Sequence, residues 1–92
     1  MDLEDCLNLK SLGNLKSVAG YFNLRLCKNL QSLGDLKHVG SWLDLGHSNV
    51  ESLGNLKYVG SHLYLLYTPL EEKYTEEQIR DMVQVVGVID IW

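Results

Sequence analysis

The sequence predicts a repeat solenoid of short parallel β-strands joined by tight or 3₁₀ turns, with one C-terminal α-helix. Three observations lead to this expectation. SLGNLKSVAGYFNL at 11–24 returns as SLGDLKHVGSWLDL at 32–45 and as SLGNLKYVGSHLYL at 52–65. The leading residues Leu12, Leu33 and Leu53 are 21 and then 20 residues apart, a period typical of stacked supersecondary units. Apolar residues also recur in five columns: Leu15, Leu36, Leu56; Val18, Val39, Val59; Phe22, Leu43, Leu63; Leu24, Leu45, Leu65; and Leu30, Val50, Leu70.

A unit of this length cannot bury its own apolar side, but stacked copies turn each column into an internal ladder. The chain is therefore read as one domain over 1–92, with repeats at about 9–29, 30–49 and 50–69. Before them, LEDCLNLKSLG aligns with LRLCKNLQSLG, placing Cys6 over Cys27 and Leu9 over Leu30. Within each repeat, YFNLRL, WLDLG and HLYLL alternate as a strand does, which turns Phe22, Leu24, Leu43, Leu45, Leu63 and Leu65 inward. SLGNL is too short and Gly-broken for a helix of several turns. Ser11, Ser32 and Ser52 suit a tight turn or a piece of 3₁₀ helix, each accepting a backbone N–H. Gly13, Gly34 and Gly54 tolerate left-handed or crowded backbone there, and a fully extended course for the segment stays open.

After the third repeat the pattern changes to TPLEEKYTEEQIRDMVQVVG. Thr75 followed by Gln78 is a capping-box pattern, and Glu76 and Glu77 suit a helix N-terminus. Ile79, Met82, Val83 and Val86 share one helical face, so a helix of about three turns is expected over about 75–85. VVGVIDIW echoes HVGSWLDLG with one residue deleted, placing Val86 over Val39, Ile89 over Leu43 and Ile91 over Leu45. A final strand is expected at about 88–92.

Composition narrows the function classes. Twelve acidic against eight basic residues give a formal charge of −4, a poor match to a phosphate-backbone binder, and membrane binding is not expected. The acidic start MDLEDCLNLK is unlike a signal peptide, and no apolar run approaches a membrane span, so a cytoplasmic protein is expected. Cys6 and Cys27 are close enough by stacking for a bridge, yet reduced core thiols suit that compartment better. His38, His47 and His62 occupy different repeat positions, and no C-x-x-C or H-x-x-x-H spacing occurs, so neither metal nor cofactor is expected. Ser11, Ser32 and Ser52 repeat because each unit needs the same turn; with no distinctive copy among them, no enzyme is expected.

The phrase L-x-S-L-G-x-L-K-x-V-G-x-x-L-x-L-x-x-T-x-L, seen over 30–50 and 50–70 with Thr68 at the threonine position, resembles leucine-rich, receptor-L-domain-like short repeats of bacterial and phage proteins. Ser48 holds that position in the middle copy. The resemblance implies a curved parallel sheet of L-x-L strands and a role in protein recognition. By analogy of fold and size, it extends to inhibition of a host defence protein by small phage-encoded members.

Strand alternation assigns the outward residues: Tyr21, Asn23, Arg25, Trp42, Asp44, His62, Tyr64, Leu66 and Trp92 are the candidate protein-binding set. Aromatics with sparse charge on a rigid sheet suit a protein partner, although Tyr and Trp are also ordinary strand formers. Lys16, Lys37 and Lys57 form a separate column, read as a solvated edge. The expected role is a non-enzymatic protein-binding module; the alternatives are an acidic nucleic-acid mimic and a structural assembly protein. The uncapped first unit leaves its edge open to a second copy, hence a homodimer, or to a partner.

Overall fold

A computed structural model describes residues 1–91; Trp92, a candidate for the binding face, lies outside them. Eight two-residue strands and two short helices follow one another. The strands are β1 (Ser17–Val18), β2 (Phe22–Asn23), β3 (His38–Val39), β4 (Leu43–Asp44), β5 (Tyr58–Val59), β6 (Leu63–Tyr64), β7 (Gln84–Val85) and β8 (Ile89–Asp90). Between β6 and β7 come α1 (Pro69–Lys73) and α2 (Glu76–Met82).

The leucine-rich-repeat solenoid with a single curved sheet, which the resemblance implies, is not what forms. The strands make two separate four-stranded parallel sheets, ordered β1-β3-β5-β7 and β2-β4-β6-β8, and the chain alternates between them. The reason lies in the three residues between Val18 and Phe22. A continuous strand through Val18, Phe22 and Leu24 would also bury position 20, which carries Gly20, Ser41, Ser61 and Gly87 in successive copies. Such residues offer no apolar surface to bury, so the chain bends there and starts a second wall.

Register follows the sequence spacing. In the first sheet Val18 pairs with Val39, Val39 with Val59 and Val59 with Val85. In the second, Phe22 pairs with Leu43, Leu43 with Leu63 and Leu63 with Ile89. All of these side chains are buried, as are Leu24, Leu45 and Leu65. Leu30, Leu33 and Leu36 are buried in the same core.

The C-terminal part departs from expectation in two ways. Two short helices replace the single long one. Pro69, with its preset φ, opens α1, while extended Tyr74 (φ −130°) ends it. Thr75 and Gln78 do form the reciprocal capping box, with Gln78 N–H donating to Thr75 Oγ1 at 3.2 Å and Thr75 N–H to Gln78 Oε1 at 2.9 Å. Yet α2 stops at Met82, because Val83 is extended (φ −135°) and Gln84–Val85 joins the first sheet. The second departure is register. Val85, 7% exposed, takes the place expected for Val86, which is 60% exposed. The step from Val85 to Ile89 equals that from Val18 to Phe22, so no residue is deleted. Ile79 and Val83 are buried, whereas Met82 is 39% exposed. The final strand is Ile89–Asp90, shorter than expected.

The turns behave as the serines suggested. Ser11, Ser32 and Ser52 each accept the N–H of the glycine two residues on, at 2.9, 3.0 and 3.1 Å. Those glycines have φ near 60°, where an L side chain is strained. The bonds close tight turns; none of these segments is a 3₁₀ helix.

The column of Cys27, Ser48 and Thr68 is buried and polar. Ser48 Oγ donates to the Leu45 carbonyl at 2.6 Å and Thr68 Oγ1 to that of Leu65 at 2.7 Å, so neither hydroxyl is orphaned. Cys27 Sγ donates to the Leu3 carbonyl at 3.1 Å, and Cys6 and Cys27 are both free thiols. Burial pushes the Cys27 thiol above its ordinary range; the Cys6 backbone opposes this, while the charges of Cys6 and Asp5 add to it. The unfolded chain then releases this proton at lower pH than the folded one. Stability should be complete below the ordinary thiol range and fall as pH rises through the folded value. Urea unfolding from about pH 7 to about pH 10 checks it. Cys27→Ser, which copies Ser48, should flatten the slope relative to the wild type; an unchanged slope would refute the assignment.

The two sheet edges at the C-terminal and N-terminal ends are treated differently. Arg80 donates to the carbonyls of Val85 and Gly87, both at 3.0 Å, and pairs with Glu76 at 3.1 Å, covering the outer edge of β7. At the other end, Asp2 bridges Asn23 and covers β2. No helix among the described residues is long and apolar enough to cross a membrane.

Candidate protein-binding face

The outward positions of the second sheet lie in the register Asn23, Asp44, Tyr64, Asp90. Immediately before each strand stand Tyr21, Trp42, His62 and Val88, at the exit of each bend. Parallel pairing sets the spacing of these residues, and ring contacts then connect them. Tyr21 stacks on Trp42 with centroids 4.7 Å apart and planes at 20°. Trp42 meets Tyr64 edge-on at 6.3 Å and 74°, and His62 meets Tyr64 at 6.0 Å and 61°. Both edge-on contacts lie within the distances at which such pairs attract. The four rings thus form one connected strip, partly exposed throughout.

The strip does not follow the simple column Tyr21–Trp42–His62. Trp42 turns diagonally to Tyr64, and His62 is held otherwise: its Nδ1 accepts the Val88 N–H at 2.9 Å. Through that bond His62 ties the last bend to the one below it.

The polar candidates have local work. Asn23 Oδ1 accepts from Arg25 N–H at 3.0 Å and Asp44 Oδ1 from Gly46 N–H at 2.8 Å, each closing the turn after its strand. Asn23 Nδ2 also donates to Glu4 at 3.0 Å. Neither side chain is idle, and both rigidify the face. The Arg25 stem lies beside Gly46: an added Cβ there would meet Arg25 Cγ at an ordinary contact distance of 3.9 Å and Asp44 Oδ1 more tightly, at 3.0 Å. Leu66 is half-buried next to exposed Tyr67. Asp44 and Asp90 are separated in register by Tyr64, so these acids make no regular track.

Two further ring pairs were missed by the sequence reading. His38 stacks on Tyr58 at 4.8 Å and 12° on the first sheet. His47 and Tyr67 approach at 4.7 Å from residues with φ of 57° and 59°. The signal for both was the copy spacing, which aligns 38 with 58 and 47 with 67. Lys16, Lys37 and Lys57 are exposed. At the N-terminal end, where a second copy or a partner is expected, Leu3, Leu9, Leu12 and Leu15 are only partly buried. No protein-family description, curated protein or solved structure matches the chain.

Proposed function

We propose that the chain is a non-enzymatic protein-binding module, cytoplasmic in setting, that engages its partner through the outer face of the second sheet. The observation that carries this reading is the connected strip Tyr21–Trp42–Tyr64–His62. Rings from three successive strand levels are held by parallel pairing and by each other, so little side-chain freedom remains to be lost on binding. Large aromatic groups of this kind dominate the energetics of protein interfaces. Two free thiols fit a reducing compartment.

Trp42→Ala and Tyr64→Ala should each weaken the partner complex by at least about 1–2 kcal/mol while leaving the inward leucine columns intact. Lys37→Ala, on the exposed lysine column, should change little. Affinity capture from the native host identifies the partner, and calorimetric titration alongside a melting curve measures the effect. Wild-type affinity in both folded aromatic variants would exclude this face.

A further inference from the structure

One column of the fold stops a copy short. Ser32 bridges Ser52 in parallel, and three main-chain bonds hold these segments together. Leu33 N–H donates to the Ser52 carbonyl at 3.4 Å, Asn55 N–H to that of Gly34 at 3.2 Å, and Glu51 N–H to that of Gln31 at 2.9 Å. The 32–35 turn therefore offers the next copy a donor, Leu33 N–H, and an acceptor, the Gly34 carbonyl. The 52–55 turn has the same construction, with the same serine cap and a glycine φ of 58° against 57°. Its Leu53 N–H and Gly54 carbonyl consequently face the same way, beyond the third copy.

No fourth turn meets them, because the chain passes through α1 and α2 instead. In its place is a cleft of about 300 Å³ whose walls include Leu53, Leu56, Tyr74 and Met82, with Lys57 and Asp81 also lining it. Among the described residues, Leu53 N–H and the Gly54 carbonyl have no hydrogen-bond partner, and both residues line the cleft. Main-chain donors and acceptors seek partners, and these two lie on one edge of the turn at the spacing that the 32–35 turn uses to bind the 52–55 turn.

We infer that this cleft binds a short peptide segment of a partner protein, seated as a fourth Ser-Leu-Gly-like turn. One peptide carbonyl accepts from Leu53 N–H, and an N–H three residues later donates to the Gly54 carbonyl. The aliphatic side chain between them enters among Leu53, Leu56 and Met82. Lys57 and Asp81 supply one charge of each sign, suiting a segment with an acidic and a basic residue. This site is separate from the aromatic strip and stands or falls independently of it. In a folded second copy Leu33 and Leu53 are already buried, which leaves its 11–14 turn, with Leu12 partly buried, as the competing occupant that a self-association measurement tests.

The probe is the acetylated, amidated peptide QSLGDLK, the chain's own 31–37 sequence, titrated into the full chain and followed by amide and methyl NMR. Saturable shifts at the Leu53 and Gly54 amides and the Met82 methyl are expected, with a Kd of about 1 mM or tighter. Replacing the first leucine of the peptide with Asp should abolish them. Met82→Trp, which fills the cleft from its partly exposed wall, should weaken binding at least about tenfold with the melting temperature unchanged. Absent or non-saturating shifts, or equal binding of the Asp peptide, overturn the inference. Shifts centred on Trp42 and Tyr64 overturn it as well, because they would place the peptide on the sheet face. So would concentration-dependent self-association that the peptide dissolves, which would assign the cleft to a second copy.

Discussion

Phe22→Ala is expected to lower the unfolding free energy by about 3–5 kcal/mol, the range for emptying a buried aromatic site. Phe22 is fully buried, opens the β2 wall and pairs with Leu43 above it. It is the sole phenylalanine in the chain, standing where later copies carry Leu43, Leu63 and Ile89. The larger ring belongs at this end, where Leu3, Leu9, Leu12 and Leu15 are incompletely covered and fewer side chains fill the interior. Truncation leaves a void that these partly exposed neighbours fill poorly. A domain of this size holds only about 5–15 kcal/mol in total, so the loss is a large fraction of its stability. Phe22→Leu, which restores the residue of the next copies, should cost about 1 kcal/mol. Urea unfolding followed by tryptophan fluorescence measures both. A loss below about 1 kcal/mol for the alanine variant would show that position 22 does not fill the core.

The inward columns were legible because burial imposes a repeating demand on residue type, and Leu43 pairs with Leu63 as their spacing required. The division into two sheets was harder to see. Two-residue strands are too short to show alternation, and the bend between Val18 and Phe22 preserves the spacing that a continuous strand would have. The telling residues were Gly20, Ser41 and Ser61, which cannot fill an inward slot. In the last copy, the helical spacing of Ile79, Met82, Val83 and Val86 masked a strand. Val85 belongs to the valine column, and tertiary pairing with Val59 overrides the local helical pattern. The aromatic strip was legible as a set of outward residues but not as contacts. Whether Trp42 turns toward His62 or Tyr64 depends on rotamers that spacing does not encode, and the His62 bond to Val88 holds the histidine in place.

Gly60→Ala and Gly20→Ala should have effects of opposite sign, although both lie in bends between the two sheets. A Cβ at Gly60 would fall 2.1 Å from the Gly40 carbonyl oxygen, and one at Gly40 would fall 1.9 Å from that of Ala19. Both obstacles are main chain, so relief requires neighbouring levels to separate at the bend; we expect a loss of about 3 kcal/mol for Gly60→Ala. A Cβ at Gly20 meets nothing within 4 Å, and its φ lies outside the left-handed region, so alanine there should stabilise by about 0.4–1 kcal/mol through the unfolded chain. The natural residues follow the same rule. Ala19 is allowed at the first bend because no level lies beneath it. At the last bend the glycine moves one position on, to Gly87, where a Cβ would meet His62 Nδ1 at 2.5 Å and the Ser61 carbonyl carbon at 2.8 Å. Close contact at the bends therefore sets the height at which Trp42 and His62 leave each level. Gly60→Ala should consequently disturb the Trp42–Tyr64 contact and partner binding together, which tryptophan fluorescence and titration can read on the same sample. A variant that loses neither stability nor binding would show that the bends tolerate separation and that the aromatic strip does not depend on them.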